Sequence, residues 1–186
     1  MNLGKLIFLS IAGYIILLIH DLSQIKKSNI VTVITYISYP IILTPYLLIF
    51  FNYIPNNTIP GWLTILFIIL ITVLFLLLIY SVLLEIPLKI KQGKVLVDDK
   101  IRTVYKLGTY SFSRHPGFIW MTLFNAAIFG LFLQREILLL TAVLTLCNLA
   151  LILVEDIYIF PIVFRDYNQY KKEVPFLCKF PFTNKS

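Results

Sequence analysis

Residues able to do chemistry gather at two places in this sequence, each at the edge of an apolar run. The string GTYSFSRHPGF sets Gly108, Tyr110, Arg114, His115 and Pro116 just before one run, and Glu155 and Asp156 close another directly after Leu151, Ile152, Leu153 and Val154. An imidazole and a carboxylate can each take up or deliver a proton. A carboxylate ending an apolar helix must face protein or an aqueous cavity, because its transfer into hydrocarbon is costly. Asn148 lies on the same helix face as Glu155, so a polar stripe runs inward from the carboxylates. Further on, FRDYNQYKKEVPF puts Tyr167 and Tyr170 one turn apart on one face. A plainer reading makes Arg114 and His115 interfacial anchors, Pro116 a helix starter, Asp156 a solvated residue at a helix end, and the tyrosines headgroup contacts.

The elements that must position these residues are helices in a membrane. Of 186 residues, 59% are apolar and 13% charged, about half the charge of an ordinary soluble domain, and mean hydropathy is +0.89. Disordered, collagenous and disulfide-stapled classes are thereby excluded. Five runs are long enough to cross about 30 Å of hydrocarbon: Leu3 to His20, Ile30 to Phe51, Gly61 to Leu84, Gly117 to Leu133, and Ile137 to about Phe160. Five segments cannot close a barrel, so each is expected to be a helix. Pro40 and Pro45 should kink the second, and the last two should form a tight antiparallel hairpin. The first run follows Lys5 but precedes no small-x-small cleavage site, so it reads as a span rather than a signal peptide. The expected fold is an all-α polytopic domain over residues 1–186. Cys147 and Cys178 lack the spacing of a disulfide framework or metal site.

Net charge is +7, which in a soluble protein would suggest nucleic acid, but here its placement carries the information and no nucleic-acid partner is expected. Lys26 and Lys27, the seven Lys and Arg from Lys89 to Arg114, and the five from Arg165 to Lys185 fall on one side of the five spans. Only Lys5 and Arg135 fall on the other. The positive-inside rule then puts the N-terminus outside and the C-terminus in the cytoplasm, with anionic lipid attracting most of the lysines. The cytoplasmic loop from Glu85 to His115 and the tail from Pro161 are longer than connectors need, a mark of functional segments.

The combination Gly108-x-Tyr110-x-x-x-Arg114-His115-Pro116, a helical hairpin, Glu155-Asp156 and Tyr167-x-x-Tyr170-x-x-x-Val174-Pro175 resembles the isoprenylcysteine carboxyl methyltransferases and related phospholipid methyltransferases of membranes. The resemblance covers about residues 85–182. It implies S-adenosylmethionine held on the cytosolic face and a lipophilic or prenylated acceptor entering from the bilayer. It also implies a cofactor strip at Arg102, Thr103, Val104 and Tyr105, and a second at Tyr110, Arg114, His115, Pro116, Gly117 and Phe118, with Glu155, Tyr167 and Tyr170 completing the site. His115 and Glu155 are the implied catalytic pair, and either could serve as base for an acceptor that must lose a proton. Asn148, Leu151 and Arg165 are the expected acceptor contacts, Arg165 only if the tail folds back over the site. Phe118 stands where the family has tyrosine, Phe164 where it has glycine, and the closing proline is displaced to Pro181. Leu151 stands where the carboxyl methyltransferases carry an arginine for the substrate, which points the acceptor toward a hydroxyl, amine or thiol.

Two other readings are compatible with these residues. Membrane sterol reductases share a similar C-terminal pattern and bind NADPH, although this chain is short for them, and a non-catalytic lipid-binding protein would bind neither cofactor. The charge distribution makes its own prediction. In a cysteine-free background, Lys94→Cys and Asn184→Cys should resist membrane-impermeant thiol reagents in intact cells and react after permeabilisation. Labelling of either site from outside reverses the topology.

Overall fold

The computed structural model describes residues 3–25, 30–56, 58–86, 88 and 103–178, and within them all regular structure is helical. Helix α1 spans Leu3–Ile25 and α2 Ile30–Asn52. Helix α3 spans Gly61–Leu84, α4 Pro116–Phe132 and α5 Arg135–Val163. A short α6 follows at Tyr167–Glu173. Helices therefore stand at all five places where spans are expected. By length and composition α3, α5 and the Leu3–Ser23 part of α1 can cross a membrane. Helix α4, with 17 residues, and the Ile37–Asn52 part of α2 are shorter apolar helices.

Several boundaries differ from the sequence expectation for local reasons. Helix α1 continues past His20, and the Ser23 hydroxyl donates to the His20 carbonyl at 2.5 Å. Leu133 adopts a left-handed conformation, φ 49°, and its N–H donates to the Phe129 carbonyl at 2.7 Å, which stops α4. Gln134 is extended, and α5 begins at Arg135, so the hairpin is tighter than expected. Both prolines lie inside α2, and helical structure continues through them to Asn52.

Helix α1 packs along α2 and α5, while α4 lies between α5 and α3. Ile42, Ile49, Ile128, Leu131, Ile137 and Leu144 are among the buried residues of this core. Helix α3 is closest to α4 and buries mainly Ile71 and Leu74. Trp62, Ile65, Ile69 and Leu76 on α3 are exposed, which suits a hydrocarbon solvent and would be unfavourable in water.

A polar thread ties three helices inside this apolar core. The Tyr46 hydroxyl on α2 donates to Asn125 Oδ1 on α4 at 2.7 Å. Asn125 Nδ2 donates to Thr145 Oγ1 on α5 at 2.9 Å, and Thr145 Oγ1 donates to the Thr141 carbonyl at 2.9 Å. Such links between membrane helices contribute about 0.6 kcal/mol on average and up to about 1.7. Replacing Asn125 with Leu should lower unfolding stability in detergent by about 1–2 kcal/mol. Tyr46→Phe should cost less, and the double variant should cost less than the sum of the two. Additive losses in denaturant titrations would mean that the thread is not a coupled unit.

Candidate functional site

The site begins with the way α5 ends. Residues Glu155–Ile159 form a π turn, a wider local winding that often occurs at functional positions. Here the two consecutive carboxylates both turn inward and flank one imidazole. His115 Nδ1 is 3.7 Å from Glu155 Oε2, and His115 Nε2 is 3.3 Å from Asp156 Oδ1. His115 caps the start of α4, so this contact joins two helix ends distant in sequence.

Asp156 is the hub of the site. Arg114 Nη1 lies 2.7 Å from Asp156 Oδ1, Lys171 Nζ lies 3.0 Å from Oδ2, and the Tyr167 hydroxyl donates to Oδ1 at 2.6 Å. The sequence reading of Asp156 as a solvated helix-end residue is thus corrected. Its side chain is 6% exposed against 15% for Glu155, because two cations and a phenol compensate its desolvation. Burial holds the His115 imidazole below its ordinary value, Arg114 and Lys171 act in the same direction, and Asp156 opposes them. His115 is therefore neutral at pH 7.

The segment before α4 is held at both ends. Glu85, fully buried at the end of α3, accepts hydrogen bonds from the Thr109 N–H at 2.9 Å, from the Thr109 hydroxyl and from the Tyr105 hydroxyl at 3.3 Å. Gly108 sits against it with φ +58°, where a Cβ would fall 1.6 Å from Glu85 Oε1, so both conformation and space require glycine. Gly117 allows α4 to approach α3, since a Cβ there would lie 2.7 Å from Val82 Cγ2. The Tyr110 hydroxyl donates to the Ser81 carbonyl at 3.0 Å.

The tail folds back over the start of α4. Arg114 N–H donates to the Pro175 carbonyl at 3.1 Å, and the Ser113 hydroxyl donates to the Phe176 carbonyl at 3.3 Å. The Phe176 ring lies 5.0 Å from His115 and 5.5 Å below the Arg114 guanidinium, and Phe160 stacks on His115 at 5.9 Å. Tyr167 and Tyr170 share a face as expected, but both are buried, which corrects their reading as headgroup contacts. The Tyr170 hydroxyl donates to the Tyr110 carbonyl at 2.6 Å. Burial pushes both phenols up from their ordinary values, so they remain donors at neutral pH.

The other expected site residues fall at several distances from this center. Val104 N–H donates to Asp166 Oδ1 at 2.8 Å, and Tyr105 packs edge-on against Tyr110 at 5.7 Å, tying their strip to the tail and to Glu85. Thr103 is exposed, and Arg102 lies outside the described residues. Pro116 is buried and opens α4, while Gly117 and Phe118 are half-buried in its first turn, as is Asn148 on α5. Leu151 is buried in the apolar core. Arg165 is exposed.

Two residues that sequence reasoning did not place in the site belong to it: Asp156 and Glu85. Each is a carboxylate near the end of an apolar run, the signal that singled out Glu155. Among the described residues, no group of three or more His, Cys, Asp or Glu side chains could hold a metal ion. Compared with protein families, with curated proteins and with solved structures, the chain gives no match.

Two outcomes follow from this geometry. Asp156→Ala leaves the buried Arg114 and the partly exposed Lys171 without their carboxylate and should cost about 3–5 kcal/mol of stability, read by thermal unfolding in detergent. The second concerns pH. Because folding lowers the His115 value, the unfolded chain binds its proton first as pH falls. The stability held above about pH 6.5 should therefore decline below that point and level off beneath the folded value. His115→Gln should flatten that part of the profile, and an unchanged profile would remove His115 as its source.

Proposed function

We propose that the protein is an integral membrane methyltransferase that uses S-adenosylmethionine to methylate a lipophilic acceptor. The observation that carries this reading is the convergence of His115, Glu155 and Arg114 from separate helix ends into one aromatic-walled cluster, at the positions the family motif resembles. The donor set fits the cofactor. Glu155 offers a partly exposed carboxylate to an amino or ribose group. Arg114 Nε is buried without a hydrogen-bond partner among the described residues and can donate to a carboxylate. Phe160 and Phe176 supply aromatic faces that suit a sulfonium or an adenine. When bound, the cofactor supplies an electrophilic methyl group.

The protein's own task is alignment, bringing an acceptor heteroatom to about 3–3.5 Å from that methyl, and removal of a proton where the acceptor carries one. Neutral His115 can accept it, and so can Glu155. Five spans with the N-terminus outside and the site on the cytoplasmic face follow from the charge distribution. The acceptor enters laterally between helices, its tail remaining in the bilayer.

The apolar burial of Leu151 and the exposure of Arg165 favour a protic acceptor. A carboxylate brought to the bilayer edge needs a cation, and neither position supplies one next to Glu155. Lipid amines and long-chain phenol-like or pyrone hydroxyls suit the site better than a farnesylcysteine carboxylate.

Calorimetric titration of the purified protein with S-adenosylmethionine tests the cofactor, and absence of binding overturns the reading. Glu155→Ala should remove a charge-assisted hydrogen bond of about 1.5–3 kcal/mol, roughly tenfold to more than a hundredfold in affinity. Unchanged affinity in a folded variant takes Glu155 out of the site. With radiolabelled methyl donor, lipid amines or hydroxyls should turn over faster than a prenylcysteine analogue, and the reverse order returns the acceptor to a carboxylate.

A further inference from the structure

The tail closes the candidate site from one side. The His115 imidazole sits between two rings, with Phe160 stacked on it at 5.9 Å and Phe176 5.0 Å away, and its side chain is left 4% exposed. The same Phe176 ring covers Arg114, lying 5.5 Å from the guanidinium, whose side chain is 10% exposed. Arg114 Nε is buried without a hydrogen-bond partner among the described residues. A buried donor left unpaired is costly, and the ring that covers it also keeps a ligand away from it.

The two aromatic walls are held in different ways. Phe160 belongs to α5 and packs edge-on against Phe164 and Tyr167, and Tyr167 is itself bonded to Asp156. Phe176 lies past the end of α6, in a stretch without regular structure. Val174 is anchored there by burial against Tyr167 and Tyr170. Past Val174, the ties among the described residues are the Phe176 ring and two hydrogen bonds. The Arg114 N–H donates to the Pro175 carbonyl at 3.1 Å, and the Ser113 hydroxyl donates to the Phe176 carbonyl at 3.3 Å. Ser113 Oγ also accepts from the His115 N–H at 3.1 Å, so one hydroxyl joins the tail to the residue it covers. Leu177, next in the chain, is exposed.

From this geometry we propose that Pro175 and Phe176 form a gate over Arg114 and His115, hinged after Val174, which opens to admit a ligand and closes again on it. Opening breaks the two hydrogen bonds and the ring contacts, and it frees Arg114 Nε together with one face of the imidazole. Segments with few buried contacts open at low cost while the rest of the fold stays intact, and such motions control entry and release in many enzymes. The inference rests on the methyltransferase reading for the identity of the ligand, S-adenosylmethionine.

A gate and a fixed wall differ in kinetics. A fixed wall only retains a bound ligand, so removing its ring speeds dissociation alone. A gate also delays entry, so removing it speeds association and dissociation together. Two measurements on the full chain in detergent separate these cases. One is the rate at which diethylpyrocarbonate modifies His115, read by peptide mass spectrometry with His20, the other histidine, as internal reference. The other is the pair of association and dissociation rates of S-adenosylmethionine, read by surface plasmon resonance. Phe176→Ala should speed His115 modification about tenfold, leave His20 unchanged and raise both ligand rates about tenfold. Phe176→Leu, which keeps an apolar side chain but no ring, should move the same quantities about threefold, and it carries the test if thermal unfolding shows that the alanine variant is not folded. Unchanged modification of His115, or faster dissociation alone, overturns the gate and leaves the cofactor reading standing. If wild type does not bind S-adenosylmethionine, the cofactor reading falls and the modification rates alone decide the gate.

Discussion

The polar end of this bundle depends on the desolvation of one carboxylate. Asp156 is drawn into protein at the end of an apolar helix, and it is tolerable there only because Arg114, Lys171, Tyr167 and His115 converge on it. These partners come from the start of α4 and from α6, so compensating that charge also docks the tail and sets the entry of α4. Without those partners the carboxylate would be expelled toward water, and the tail would keep only its links to the segment before α4, from Tyr170 to Tyr110, Arg114 to Pro175, Ser113 to Phe176 and Val104 to Asp166.

Glu155 and Asp156 open the π turn at Glu155–Ile159, and both acids lie against His115. They then take different roles through their surroundings. Asp156 is saturated by donors within the protein, whereas Glu155 has His115 beside it and keeps some exposure. That difference leaves Glu155 the more exposed of the two acids, while Asp156 holds the surrounding elements together.

A second carboxylate organises the approach to α4 by different means. Glu85 is satisfied by neutral donors, a backbone N–H and two hydroxyls, with Gly108 pressed against it. The result is a fixed turn from which Tyr110 reaches Ser81 and receives Tyr170 at its carbonyl. Loop, bundle and tail are thereby joined through a few buried polar groups, while the apolar helices below supply the platform.

By itself the sequence determined the helical class and the positions of the five apolar helices, and it singled out His115 and Glu155, which the fold brings to 3.7 Å of each other. These follow from hydropathy, from the backbone's need for internal hydrogen bonds in lipid, and from the cost of a carboxylate beside an apolar run, all local properties. Helix ends were less legible, since the extension of α1 through Ile25 and the stop at Leu133 depend on particular hydrogen bonds and one left-handed residue. Only the tertiary structure decided that Asp156 is the buried hub, that Tyr167 and Tyr170 turn inward and that Glu85 pins the Gly108 turn. Each depends on a partner between 11 and 60 residues away in the chain. Hydropathy at one position says that a charge is costly there, and only the packed helices say what compensates it.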